Sequence, residues 1–246
     1  MKRICLKVSY DGTNYHGWQK QDNTADTIEE VLNKALSETL GEPIEVIGAS
    51  RTDAGVHALG NIAVFDTNAR IPGEKVSFAV NKHLPEDIVV VESMEVEQSF
   101  HPRKCDSIKT YDYRISTGRF VNPTKRLYTY HSHNSFDIER MRAGAGYLIG
   151  THDFKSFCQT GAQVKDTVRT IYTLEVFADG DEIIIRVSGN GFLYNMVRII
   201  AGTLMDIGMG RREPEDVKEM LAALDRNAAG PTAPACGLTL VSYEFL

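Results

Sequence analysis

The chain has 246 residues, of which 42% are hydrophobic and 24% charged, and its formal net charge is −6. That length accommodates one large domain or two small ones with real cores, and the composition excludes the low-complexity and disordered classes. No run approaches the ~18 to 20 apolar residues of a membrane span, and the start Met1-Lys2-Arg3-Ile4-Cys5-Leu6-Lys7 lacks the apolar core of a signal peptide, so a cytoplasmic protein is expected.

Cys5, Cys105, Cys158 and Cys236 are scattered without a C-x-x-C pair, which reads as free or buried thiols in a reducing compartment. His131 and His133 have no cysteine or carboxylate at ligand spacing beside them, so no metal is expected. The acidic total argues against a broadly basic nucleic-acid face. It hides a stretch in which Arg103, Lys104, Lys109, Arg114, Arg119, Lys125 and Arg126 are opposed only by Asp106 and Asp112. A solvated strand pair and a phosphate-facing wall both fit that stretch, and charge alone does not choose between them.

In chain order, Ile4, Leu6, Val8 and Tyr10 alternate with Cys5, Lys7 and Ser9, the pattern of a half-buried strand. Tyr10 to Gln19 is a loop dense in turn formers and aromatics; its spacing does not fit a calcium loop, and Trp18 reads as part of a packed turn. A helix from about Thr27 presents Ile28, Val31, Leu32, Ala35, Leu36 and Leu40, with Thr27 and Glu30 resembling a capping box. The apolar, β-favouring runs Ile44–Ile47 and Ile62–Phe65 flank the small-residue loop Gly48–Gly60. A helix over Lys75–Lys82 and a strand over Ile88–Val91 complete an order of strand, helix, strand, strand, helix, strand. That order predicts an α+β half built on a mostly antiparallel sheet.

Strands are then predicted over Ser107–Ser116, Val168–Phe177 and Glu182–Val187, with helices over Ile138–Leu148, over Phe192–Ile207 and after Pro214, and a last strand over Leu238–Phe245. The pattern divides the chain into residues 1–104 and 105–246, two α+β (ferredoxin-like) halves expected to share one mostly antiparallel sheet with a central cleft.

Several common sites are absent from the sequence. Gly189-Asn190-Gly191 has Tyr194 where a dinucleotide loop needs its third glycine. No phosphate loop, zinc-deaminase signature or G-x-S-x-G elbow occurs. What stands out is Asp53, a carboxylate in a permissive loop. With a reference pKa of about 4 it is ionised at neutral pH and attacks an electrophilic carbon without a partner base.

The stretch Arg51-Thr52-Asp53-Ala54-Gly55-Val56-His57-Ala58 resembles the catalytic signature of the tRNA pseudouridine synthase A family. The resemblance runs over nearly the whole chain, through Tyr10–Gln19, Phe100–Arg103, Thr110–Ile115, Gly150–Phe154, Ser156-Phe157, Val168–Ile171, Gly191–Arg198 and Thr232–Leu238. It implies a pseudouridine synthase fold and the conversion of uridine to pseudouridine at positions 38, 39 and 40 of the tRNA anticodon stem-loop. Asp53 is then the nucleophile, at uracil C6 or ribose C1′. Tyr111 stacks on the flipped base, and Arg198 pairs with Asp53. No cofactor is required, the partner is tRNA, and the enzyme is expected to be a homodimer.

Without the resemblance, Tyr111 reads equally well as a core-facing strand residue, and Arg198 as a residue on the polar face of a helix. Arg51 suits either displacing the neighbours of a flipped nucleotide or contacting phosphate, and Arg103 joins it as a substrate-binding candidate. His57, also a binding candidate, reads first as a hydrogen-bonded structural residue. Pro102 and Asp112 depart from the family pattern; Asp112 puts an acid beside Tyr111, which weakens the expectation of phosphate binding there. The same chemistry on another RNA site, a non-catalytic tRNA-binding module and a carboxylate glycosidase are the competing readings.

Overall fold

The computed structural model describes residues 1–161 and 166–246. Met1–Asp106 and Leu240–Leu246 form one unit, and Ser107–Thr239 forms the other. The first holds β1 (Lys2–Tyr10), α1 (Ile28–Leu40), β2 (Ile47–Gly48), β3 (His57–Thr67), α2 (Val76–Val80) and β4 (Ile88–Val96). The second holds β5 (Ser107–Ser116), β6 (Tyr130–His131), α3 (Ile138–Gly146), β7 (Gly150–Asp153), β8 (Val168–Asp179), β9 (Glu182–Gly189), α4 (Met196–Gly208) and α5 (Asp216–Ala223). The last strand, β10 (Leu238–Phe245), starts at the end of the second unit and runs into the first.

In the first unit the strand order is β4-β1-β3-β10, and β1 runs antiparallel to both β3 and β4. The alternation of β1 is realised as expected: Ile4, Leu6 and Val8 are fully buried and Tyr10 nearly so, while Lys7 is exposed. Thr27 caps α1 through its hydroxyl, which accepts from the Glu30 amide at 3.4 Å, and Gly41 ends the helix in the left-handed region at φ 72°.

The final strand, expected with the C-terminal half, packs from Leu240 onward with the first unit. Tyr243 and Phe245 join Phe100 on the apolar cluster of Cys5, Ile62 and Val64. The Tyr243 hydroxyl donates to Pro102 O at 2.9 Å and the Leu246 amide to Asp106 O at 3.0 Å.

The second unit has strand order β5-β9-β8-β7, with these ladders antiparallel and the two-residue β6 parallel to β5. Its central helix differs from the amphipathic stripe expected of it. Every residue of α4 except Arg198 and Asp206 is buried. The helix also begins at Met196, later than Phe192, because Asn195 adopts the left-handed conformation at φ 59°, a state that short polar side chains tolerate. Gly202 lets α4 approach the 229–233 segment: a Cβ there would lie 1.9 Å from Pro231 O.

Other boundaries moved for local reasons. The Ile44–Ile47 run pairs only at Ile47–Gly48, because the amides of Ile44 and Val46 donate to the Ser37 and Asn33 side chains of α1. The Lys75–Lys82 helix resolves into a tight turn over Gly73–Lys75 and a single short helix over Val76–Val80. β4 extends past Val91 to Val96, and β7 carries no alternation that marks it in the sequence.

Candidate active site

Asp53 lies in the connection between β2 and β3, a half-buried residue at the start of a tight turn closed by the Val56 amide donating to Asp53 O at 3.1 Å. The loop is held against the Tyr10–Gln19 segment. The Trp18 amide donates to Thr52 O at 3.0 Å and the Gly55 amide to Tyr15 O at 3.2 Å. The approach is so close that glycine is required in the cradle: a Cβ on Gly12 would meet Val56 O at 2.0 Å. One on Gly17, at φ 90°, would meet Thr52 O at 2.6 Å. Trp18 is fully buried and its indole lies against Gly48, which supports the packed-turn reading. Two motifs distant in sequence are therefore one structural object.

His57 opens β3 and is buried. Its Nδ1 accepts from the Gly12 amide at 3.1 Å, and Asp11 Oδ1 lies 3.1 Å from the same nitrogen. One nitrogen cannot both accept from Gly12 and donate to Asp11, so the Gly12 bond belongs to the ring form with Nδ1 unprotonated. His57 thus ties the loop to its cradle.

Arg51 is exposed on the same loop. Arg103 is anchored beside it, its Nε donating to Gly48 O at 2.7 Å. Burial, then the positive charge of Arg51, push the Arg103 guanidinium below its ordinary pKa, which places two like charges at the rim of the Asp53 loop. The first unit therefore gathers Asp53, Arg51, His57 and Arg103 around one turn.

In the second unit Tyr111 lies on β5, opposite Val187 of β9, and is buried. Phe192 meets its ring edge-on, with centroids 5.3 Å apart and planes at 84°. Arg198 lies in the first turn of α4. Its Nε donates to Ala233 O and its terminal nitrogen to Asn195 Oδ1, each at 2.7 Å. Ala233 N–H returns a bond to Arg198 O at 3.0 Å. A guanidinium on an otherwise buried helix is costly to desolvate unless its donors are used, and these contacts fix its direction. Sequence reasoning missed Asn195 and Ala233; the signal available was the arginine in the first turn of a mostly apolar helix.

The basic stretch from 103 to 126 is not uniform. Arg114 pairs with Glu182 at 3.0 Å, and Lys125 with Glu182 at 2.9 Å. Asp112 is buried, and both its oxygens accept from Arg186 at 2.7 Å, so its charge is answered within the sheet. Among the described residues no cluster of histidine, cysteine and carboxylate groups suits a metal ion, and no helix is long and apolar enough to cross a membrane. A cavity of about 470 Å³, lined by Tyr147, His152, Asp153, Lys218, Leu221 and Ala222, contains none of the residues nominated from sequence.

Comparison with known proteins agrees with the resemblance read from the motifs. The family model described as tRNA pseudouridine synthase matches residues 7–103 and 145–245. The tRNA pseudouridine synthase A of Thermoanaerobacter sp. (strain X514) is 49% identical over 245 residues, with 100% of both chains covered. That of Ruminiclostridium cellulolyticum is 50% identical over 246 residues at the same coverage. The Halalkalibacterium halodurans protein is 47% identical over 239 residues, covering 97% of this chain and 90% of its own. Matched over most of its length by one family model, and nearly half identical to full-length relatives, this chain belongs to the tRNA pseudouridine synthase family.

Proposed function

We propose that this protein is a cytoplasmic isomerase that converts uridine to pseudouridine in tRNA, at positions 38, 39 and 40 of the anticodon stem-loop. Asp53 is its nucleophile. The observation that carries the reading is the loop itself: a half-buried carboxylate on a turn pinned to a glycine cradle, with two guanidiniums at its rim. A carboxylate with the ordinary pKa of about 4 is ionised at neutral pH, and the backbone that carries this one is pinned on both sides, the two properties direct attack needs.

In this reading the Asp53 carboxylate adds to uracil C6 or ribose C1′, and the N1–C1′ bond breaks. The base then turns and rejoins the sugar through C5. The bond to Asp53 breaks as C5 joins C1′ or as the C6 adduct eliminates, its electron pair returning to the carboxylate; the C5 hydrogen leaves as a proton to water and N1 takes one up, so atoms and electrons balance and no redox partner is needed. Tyr111 stacks on the extruded base, whose unstacking costs a few kcal/mol. Arg198, held by Asn195 and Ala233, pairs with Asp53 and keeps it ionised in a site sheltered from water. Arg51 and Arg103 contact phosphate, and His57 positions the loop. A homodimer would let two acidic chains line one RNA-binding surface with their basic residues.

The test uses tRNA carrying tritium at uridine C5. Wild-type enzyme is expected to release tritium to water, and Asp53→Ala to slow release by more than about 10³-fold. Retained label, release of free uracil, or undiminished activity of Asp53→Ala would refute the reading. Light scattering of the active protein tests the dimer; an active monomer would remove it.

A further inference from the structure

We infer that Tyr10 and Asn61 are positioning residues for the reaction, aiming Asp53 through hydrogen bonds to Thr52, the residue before it, and to Ser50, two residues further back. The inference rests on Asp53 being the nucleophile. Tyr10 closes β1 and Asn61 lies within β3, so both belong to the sheet and neither to the loop. Asn61 has no exposed surface, and Tyr10 is 4% exposed.

Every polar atom of the pair is engaged. Asn61 Oδ1 accepts from the Ser50 amide at 3.3 Å and the Ile62 amide at 2.9 Å. Its Nδ2 donates to Ser50 O at 3.0 Å and to the Tyr10 hydroxyl at 3.3 Å. The Tyr10 hydroxyl, which accepts from Asn61, lies 2.7 Å from Thr52 Oγ1, a bond in which either hydroxyl can donate. Burial pushes the Tyr10 phenol well above its usual pKa, so its hydroxyl keeps its proton at neutral pH.

The consequence is geometric. Ser50 is clamped by both its amide and its carbonyl, and Thr52 by its hydroxyl and, through Trp18, its carbonyl. The backbone entering Asp53 therefore has little freedom in φ and ψ, and the carboxylate inherits its direction from the sheet. Ordinary packing of a tyrosine needs neither its hydroxyl nor a partner in the catalytic loop. A buried network that uses every side-chain polar atom of Tyr10 and Asn61, and leaves only the Ser50 hydroxyl without a partner, is a rigid support, and a misplacement of about 1 Å at a reacting group costs about 10²-fold in rate.

The experiment compares Tyr10→Phe, Thr52→Val, the double variant and Thr52→Ser in single-turnover tritium release. tRNA affinity and thermal unfolding are followed alongside. Tyr10→Phe and Thr52→Val are each expected to lower the rate by about 10- to 100-fold with KM for tRNA within about twofold. The double variant is expected to be no slower than the worse single, because both cut one bond, and Thr52→Ser to restore the rate to within about threefold of wild type. Unchanged rates, a loss confined to KM, or multiplicative losses in the double variant would each overturn the inference. Should Tyr10→Phe fail to fold, the near-isosteric Thr52→Val and its serine rescue decide it. Activity surviving in Asp53→Ala sinks the nucleophile; a dead Asp53→Ala beside an unimpaired Tyr10→Phe sinks only the positioning role.

Discussion

In the proposed reaction one side chain, Asp53, carries the chemistry and its neighbours the precision. The cradle tolerates no added atom at Gly12, whose Cβ would fall 2.0 Å from the backbone of Val56. Gly12→Ala is therefore expected to destabilise the fold by about 1–3 kcal/mol, as overpacking does, and to displace the loop. Denaturant unfolding together with tritium release measures both. A variant of wild-type stability and rate would show that the cradle yields. At this scale Asp53 stood out as a candidate because a carboxylate among small residues is unusual, and the packing of Trp18 was legible because a lone large aromatic among turn formers packs. Arg198 was legible only through the family. Its helical spacing says nothing of the Asn195 and Ala233 oxygens that hold it, and these come from a left-handed residue and a segment 35 positions away.

At the level of elements, α4 and β1 give opposite lessons. Gly→Ala in a helix interior ordinarily gains up to about 1 kcal/mol, but at Gly202 the new Cβ would sit 1.9 Å from Pro231 O. Gly202→Ala is therefore expected to lower the melting temperature, and a rise would mean that the 229–233 segment gives way. Between β1 and β3, Arg3 and Asp66 are register partners joined by two bonds of 2.8 and 2.7 Å. The bond from Arg3 holds the Asp66 carboxyl below the usual carboxylate range. A carboxyl depressed in the folded state adds stability above its unfolded pKa of about 4 and loses it as pH falls through the folded value. Wild type minus Asp66→Asn should thus show a stability gap at pH 7 that closes towards pH 3 in acid titrations followed by circular dichroism. A gap constant with pH would assign it to packing. Strand β1 was legible because its alternation is local. The Ile44–Val46 run alternates equally well, yet its amides go to side chains of α1, a competition that local pattern does not display.

For the molecule as a whole, an acidic chain that binds a polyanion must do so with few cations. Arg3, Arg114, Lys125 and Arg186 are already in ion pairs, whereas Arg51 and Arg103 hold like charges together at the loop rim. Affinity for tRNA is expected to fall log-linearly with salt, and Arg51→Gln or Arg103→Gln each to reduce the slope by about 1. Arg114→Gln is expected to leave it unchanged. Filter binding across a potassium chloride series gives the slopes, and equal slopes in wild type and both rim variants would remove the phosphate contacts.

Sequence by itself determined the α+β class, the presence of β1 and α1, the bounds of β5 and the family, because each is written in residues whose spacing or chemistry is self-sufficient. Only the tertiary structure decided that the chain end from Leu240 packs with the first unit, that α4 is buried except at Arg198 and Asp206, and that Tyr10 and Asn61 grip the Asp53 loop. The reason is separation along the chain. Tyr10 and Thr52 are 42 positions apart, Tyr10 and Asn61 are 51, and Pro102 and Tyr243 are 141. A hydrogen bond across such a gap forms only after the sheet has paid its loop-closure entropy, and no local pattern records which partners that closure brings together.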